Sequence, residues 1–244
     1  DIDAVELLIQ NWDSTSEDVP VVSSGGMTTT YPSLDSKFGD GGATFVRLQQ
    51  DFLSGGWTEA LGAQLWTFEF WMRTTDTDTS TNTGKRIIAP QSGTNLEDGF
   101  QVTRDPAGGD SWTPHTDNAQ GALMLNPESS KTSYLCSTRT ALTADGDWHH
   151  YVFQHEGEGL YACYMDGQLM ERRARSGGPV DFKMNGGFFI GKRQDNNANA
   201  YFDGSLDAMR LTKNVLVYSP ADTIPVPTVP PAPPPPAPSA EFPT

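Results

Sequence analysis

The chain reads as all-β, a two-sheet antiparallel sandwich followed by an extended proline-rich C-terminal tail. Three observations predict this. The first is Trp66-Thr67-Phe68-Glu69-Phe70-Trp71-Met72, in which Trp66, Phe68, Phe70 and Met72 face one way and Thr67, Glu69 and Trp71 the other. Period two sustained over a whole segment is the signature of a strand. The second is a pair of apolar runs, residues 147–153 and 164–170, joined by the polar His155-Glu156-Gly157-Glu158-Gly159. The later run turns at Asp166-Gly167, a dipeptide that tolerates the positive φ of a tight hairpin. Third, the 244 residues contain 24 Gly and 18 Pro, which break the chain into short segments and leave no credible long helix.

The elements follow in order. Val5–Ile9 reads as an edge strand, with a polar loop after it through Thr30. Residues 36–46 form a glycine-rich turn entering a strand, and the Trp66 strand comes next. Residues 74–84 are a Thr/Asp/Asn/Ser run with nothing to bury, hence an exposed loop. Short strands are expected at 86–89, 100–103 and 121–125, with a polar loop at 105–120. After the hairpin come 187–191 and 201–212, then at most one helical turn at 214–218. These make one sandwich domain over residues 1–219, a size at which such folds run as a single unit.

Composition changes at Pro220: eleven of the 18 prolines lie in 220–244, among them Pro233, Pro234, Pro235 and Pro236. Such a run adopts polyproline II and cannot join a core. At about 3.1 Å per residue, residues 225–238 would reach about 43 Å. The expectation is that these prolines carry assembly contacts with a neighbour; the bland reading is a stiff linker.

A net charge of −15 argues against nucleic acid as a partner, because phosphate would repel the chain. No apolar run approaches the roughly 18 residues of a membrane span. The chain opens on Asp1 rather than Met, which predicts a processed product or a piece of something longer. Cys136 is expected in the strand before the Trp148 strand and Cys163 in the one after it. In a meander that puts them two strand spacings apart, roughly 9–10 Å, beyond the roughly 7 Å a disulfide allows. Buried free thiols are therefore predicted.

Six stretches, in order, carry a family resemblance: Ser36-Lys37-Phe38-Gly39, Phe68-Glu69-Phe70-Trp71-Met72-Arg73, residues 147–153, residues 164–169, Phe188-Phe189-Ile190-Gly191 and residues 202–211. Together they resemble the laminin-G-like domains of the concanavalin A-like lectin/glucanase superfamily, in the version found in bacterial surface proteins and tailed-phage structural proteins. The closing residues 210–218 are similar to the phage-type form, although Leu216-Val217 replaces its usual Ala-Arg before Tyr218. The resemblance implies a jelly-roll of two curved antiparallel sheets with binding by loops at a sheet edge. It does not specify a ligand, because fold alone never does.

Catalytic patterns are absent from the sequence. Retaining glycosidases need two carboxylates about 5 Å apart, which Glu-x-Asp-x-x-Glu on one strand delivers, and no such string occurs. Glu156-Gly157-Glu158 reads as a turn, and Glu69 stands alone among aromatics. No nucleophile elbow, Walker loop or His-Glu-x-x-His site is present. His149 and His150 point to opposite faces of one strand and cannot share a metal, so both read as structural.

Calcium is the plausible ion, since hard cations need several loop oxygens. Asp76, Asp78 and Asn82 supply them at intervals, although a solvated loop would look the same. Glycan binding needs an exposed aromatic beside amides and carboxylates. Trp112 and His115 in loop 105–120, and Tyr201 beside Asn196 and Asn197, fit that description. Arg172-Arg173-Ala174-Arg175 is the one basic run, either a solvated hairpin tip or a partner for a neighbour's carboxylates.

The expectation is a non-enzymatic structural or interaction protein, a virion (tailed-phage capsid-decoration or tail) or cell-surface component. Its partners would be copies of itself or other surface proteins, with a possible glycan. The alternative is a carbohydrate-binding module of a larger extracellular adhesin or polysaccharide depolymerase.

Overall fold

A computed structural model describes residues 5–9, 21–24, 36–38, 42–55, 61, 63–77, 85–90, 100–104, 122–127, 134–138, 144–180, 182, 187–192 and 201–230. Among these, fourteen strands build two antiparallel sheets. They are β1 Val5–Ile9, β2 Val21–Ser24, β3 Ala43–Phe45, β4 Phe52–Gly55, β5 Trp66–Arg73, β6 Lys85–Pro90 and β7 Phe100–Arg104. The rest are β8 Leu123–Pro127, β9 Cys136–Ser137, β10 His149–Gly157, β11 Leu160–Met165, β12 Gln168–Ala174, β13 Phe188–Ile190 and β14 Gly204–Lys213. The first sheet runs β1-β14-β5-β10-β11-β12, with β3 also paired to β14; the second runs β2-β4-β13-β6-β7-β8-β9.

The expected neighbourhood of Trp66, Trp148 and Tyr164 forms. β5 pairs β10 with Phe70 opposite Tyr151 and Phe68 opposite Phe153, and β10 pairs β11 with Phe153 opposite Cys163. Alternation then sends Trp66, Phe68, Phe70, Met72, Tyr151, Phe153, Tyr161 and Cys163 into one core, where Leu53, Ile88, Val102, Leu125, Phe188 and Ile190 of the second sheet meet them. The Asp166-Gly167 hairpin forms with φ of 48° and 77°.

Four details differ from the sequence reading. β2 and β4 arise inside stretches without alternation: Val-Val-Ser-Ser becomes a strand by pairing with Phe-Leu-Ser-Gly, which pairs with β13 on its other side. A single 3-10 turn at Arg47–Gln49 ends on Gln50 at φ 58°. The link between β10 and β11 shrinks to Glu158 and Gly159, at φ 50° and 79°, so Glu156 lies in a strand rather than a turn. Finally, Cys136 is not in a meander with β10: β9 pairs β8 in the second sheet. Both thiols are buried and free, as expected, but they face one another across the sandwich, with Cys163 Sγ donating to the Ser137 carbonyl at 2.7 Å.

Candidate binding face

The outer face of the first sheet should be wet, because β5 presents Thr67, Glu69 and Trp71 there. All three are nonetheless buried. Trp71 lies under Lys37 and Phe38; the cover over Thr67 and Glu69 is the chain's own C-terminal stretch, which crosses the strands as a strap. Val217 N–H donates to Thr67 Oγ1 on β5. The Tyr164 hydroxyl on β11 donates to the Ala221 carbonyl at 3.0 Å. At the far hairpin Leu169 N–H donates to the Asp222 carbonyl and Ile224 N–H to the Gly167 carbonyl. Tyr218 and Ile224 join Val152, Ala162 and Tyr164 in a second small apolar cluster. The stretch after Pro220 is therefore not excluded from packing as its composition suggests, because Ile224 supplies an apolar anchor between the prolines.

Under the strap, Glu69 is a hub. Its Oε2 accepts from the Tyr218 hydroxyl at 2.6 Å and pairs with His150 Nε2 at 3.0 Å, while Oε1 accepts from Arg210 Nε at 2.6 Å and also from Arg210 Nη2. Burial pushes this carboxyl up, yet the His150 bond, the Arg210 cation and the Tyr218 hydroxyl outweigh it and hold the group below the usual glutamate range. The Tyr218 phenol moves the other way, raised by burial and by the Glu69 carboxylate. His150 Nδ1 is buried without a hydrogen-bond partner, and its ring stacks obliquely on Trp71 at 5.2 Å.

On the same face Arg172 Nε donates to Glu156 Oε2 at 2.8 Å, and its Nη2 donates to the Tyr164 hydroxyl at 2.9 Å and the Ala221 carbonyl at 3.1 Å. Asp207 fastens residues 36–38 to the sheet, with Oδ2 accepting from Lys37 N–H at 2.6 Å, Phe38 N–H at 3.3 Å and Ser36 Oγ at 3.1 Å. A carboxylate, an imidazole and a phenol meet here, all three buried, and both Glu69 oxygens are engaged. The arrangement holds the strap down.

The second sheet's outer face is different. Leu53 and Ile190 point into the core, so alternation turns Phe52, Ser54 and Phe189 outward. Phe52 and Phe189 meet edge to face at 5.4 Å and stay partly exposed. Lys192 places its Nζ 4.0 Å from the centroid of Phe52 and 4.4 Å from that of Phe189. The residue is only 6% exposed, and burial pushes its amine below the usual lysine range. Gly191, at φ 82°, makes the turn that lifts Lys192 over the rings, and its carbonyl accepts from Phe202 N–H at 2.8 Å. That bond ties residues on either side of the stretch carrying Asn196 and Asn197.

Of the residues singled out from sequence, Trp112, His115, Asn196, Asn197, Asp78, Asn82, Pro233, Pro234, Pro235 and Pro236 lie outside the described residues. Tyr201 is not the exposed platform expected: it is 3% exposed and packs its ring against Phe52 at 6.4 Å. The Asp76 carboxylate already holds the Lys85 ammonium, an arrangement that opposes a dication at that oxygen. Among the described residues no group of three or more His, Cys, Asp or Glu could hold a metal. His149 and His150 do part to opposite faces: His149 Nδ1 pairs with Asp166 at 2.6 Å while His150 turns to Glu69. The basic run finds partners within the chain, Arg173 lying over the Tyr134 ring at 4.8 Å and Arg175 donating to the Gly178 carbonyl.

The Glu69 hub was hidden because its partners lie 81, 141 and 149 residues away. The one sequence signal was a carboxylate in the middle of an aromatic strand, which must be paired if buried. Nothing in the sequence joined Lys192 to Phe52.

A family model described as the concanavalin A-like lectin/glucanases superfamily matches residues 40–219. No curated protein matches the chain by sequence. Among solved structures, domain 4 of AbnA, an extracellular arabinanase of Geobacillus stearothermophilus solved with arabinotriose, superposes with a TM-score of 0.55 at 16% identity, covering 82% of this chain and 85% of that one. The binding domain of Paraclostridial Mosquitocidal Protein 1 gives 0.57 at 12% identity, covering 88% of this chain and 50% of that one. The botulinum neurotoxin serotype D binding domain gives 0.53 at 11% identity, covering 88% and 49%. The chain thus spans about half the length of these toxin binding domains. No helix among the described residues is long and apolar enough to cross a membrane. With the two seven-stranded sheets and the extent of the family match, the chain belongs to the concanavalin A-like lectin/glucanase superfamily.

Proposed function

We propose that this chain is a non-enzymatic recognition domain that takes a glycan on the outer face and rim of its second sheet. It would serve as a virion or cell-surface component fastened to neighbours by its termini. One observation carries the reading: the strap covers the middle of the first sheet's outer face and engages the Glu69 carboxylate, while the second sheet's outer face keeps partly exposed rings beside a cation. In this reading Trp112, His115, Asn196 and Asn197 contact the glycan, and Pro233–Pro236 contact the neighbours. A glycan array tests the first part; binding that survives unchanged in Trp112→Ala and in an Asn196→Ala/Asn197→Ala double variant would remove the rim from it. Light scattering of the chain with and without residues 231–244 tests the second, with loss of the oligomer as the expected result. Calcium at Asp76, Asp78 and Asn82 would have to displace Lys85, and calorimetry showing no calcium-dependent rise in melting temperature would dispose of it.

A second reading, a carbohydrate-binding module of a larger adhesin or depolymerase, is favoured by the likeness to the arabinanase domain solved with arabinotriose. It shares the glycan face and differs in making the residues beyond the strap a linker, which the scattering experiment separates.

A further inference from the structure

Resting on the glycan-binding reading, we propose that Lys192 is the anion-recognising group of a subsite on the second sheet's outer face, and that the sugar it takes is acidic, a pyranose bearing carboxylate or sulfate.

Lys85, 3% exposed, is paired with Asp76, and the partly exposed Arg210 and Arg172 are paired with Glu69 and Glu156. A chain with 31 carboxylates and only 16 Lys and Arg has counter-ions to spare. Lys192, 6% exposed, has no carboxylate or carbonyl on its ammonium among the described residues; its contacts are the Phe52 and Phe189 rings. Lysine is almost never buried this far without a partner. Ring faces attract the charge but supply no oxygen to the ammonium's three N–H donors, which are left to solvent. An anionic oxygen arriving from outside would complete the set, and it would also reverse the cost that burial imposes on the charged amine.

The floor decides that the anion comes attached to a sugar ring. Phe52 and Phe189 stand edge to face at 88°, both partly exposed, and Ser54 lies opposite Phe189 in the strand register. A bare inorganic anion would gain nothing from those rings. A pyranose packs its C–H groups against the parts of the rings that Lys192 leaves exposed while its charged substituent reaches Nζ. Carboxylate and sulfate share the required chemistry, and the probes below separate them.

The test is calorimetric titration of the whole chain at about 0.15 M salt, where charges more than about 8 Å away are screened and the net −15 does not mask a contact. The probes are trigalacturonate, a sulfated chondroitin disaccharide and neutral arabinotriose. At least one acidic probe should bind. Lys192→Gln should weaken that binding roughly 10- to 100-fold, the range for a lost hydrogen bond to a charged group, and leave arabinotriose within about twofold. Lys192→Arg should stay within about tenfold of the wild type.

Should the glutamine variant fail to fold, acetylation of lysines in the native wild type, read by mass spectrometry, serves instead. The acidic probe should protect Lys192 and arabinotriose should not. Equal acidic binding by wild type and Lys192→Gln, equal labelling of Lys192 with either probe, or binding of arabinotriose alone overturns the proposal while leaving the glycan reading standing. Binding of no probe and of nothing on the array brings down both.

Discussion

The strongest consequence of the structure concerns Glu69→Gln. The substitution keeps the side chain's volume and removes its charge. Glu69 is 2% exposed at the side chain and is the counter-ion of Arg210, whose side chain is 17% exposed. Removing one partner of a buried pair costs about 3–5 kcal/mol, and the partial access of water to Arg210 places this case near about 3 kcal/mol. Glutamine can still accept from Arg210 or from Tyr218, but its amide nitrogen faces a donor on the other side.

For a chain of this length each kcal/mol moves the melting midpoint by about 2–4 °C, so a fall of about 6–12 °C is expected at pH 7. The pH dependence carries a sign. The folded-state carboxyl is held below its ordinary value, so its contribution is complete above the ordinary glutamate value, roughly pH 4, and fades as pH drops through the lowered one. The gap between wild type and Glu69→Gln should accordingly close on acidification. Urea unfolding at several pH values measures it. A gap under about 0.5 kcal/mol at pH 7, or one unchanged down to pH 3, would refute the idea that this carboxylate is ionised and holds the strap.

The other expectations can be checked on the same material. Gly167→Ala should destabilise more than Gly177→Ala: both sit at positive φ, but a Cβ on Gly167 would meet the Ile224 carbonyl at 2.5 Å while one on Gly177 meets nothing. Equal losses would show that the strap does not rest on that hairpin. Ile224→Ala, which hollows the small cluster under the strap, should cost about 2 kcal/mol, at the low end for an isoleucine because the site is at its edge. His149 should titrate above the ordinary histidine value, since Asp166 and Asp145 outweigh its desolvation. Its contribution is therefore complete below the ordinary value and is lost as pH rises through the raised one. Proton NMR of Asp166→Asn showing no drop in that value would exclude the pair as the cause. Cys136 and Cys163, their sulfurs enclosed between the sheets, should resist a thiol reagent until urea unfolds the chain, and rapid reaction in the native state would contradict their burial.

The strap also explains a feature that alternation alone does not. A half-wet strand carries polar residues on its outer side, and β5 carries Thr67, Glu69 and Trp71 there. Each has a partner from residues 210–218 or 36–38: Val217 for Thr67, Arg210 and Tyr218 for Glu69, and Phe38 for Trp71 at 5.8 Å. These polar and amphipathic side chains are adapted to protein above them, not to water.

The strands at Trp66, His149 and Leu160 and the Asp166-Gly167 turn were legible in the sequence, because period-two alternation and turn chemistry are local properties that need no knowledge of the rest of the chain; the thiols are free as expected, but not for the meander spacing that predicted it. β2 and β4 were not, since four residues without alternation become a strand only when a neighbour pairs with them. The location of Cys136 in the second sheet, the paired state of Glu69 and the seat of Lys192 over Phe52 and Phe189 were decided by tertiary structure alone. In each case the deciding partner lies far along the chain or in the opposite sheet, and burial acts on whatever the fold brings together rather than on what is adjacent in the chain.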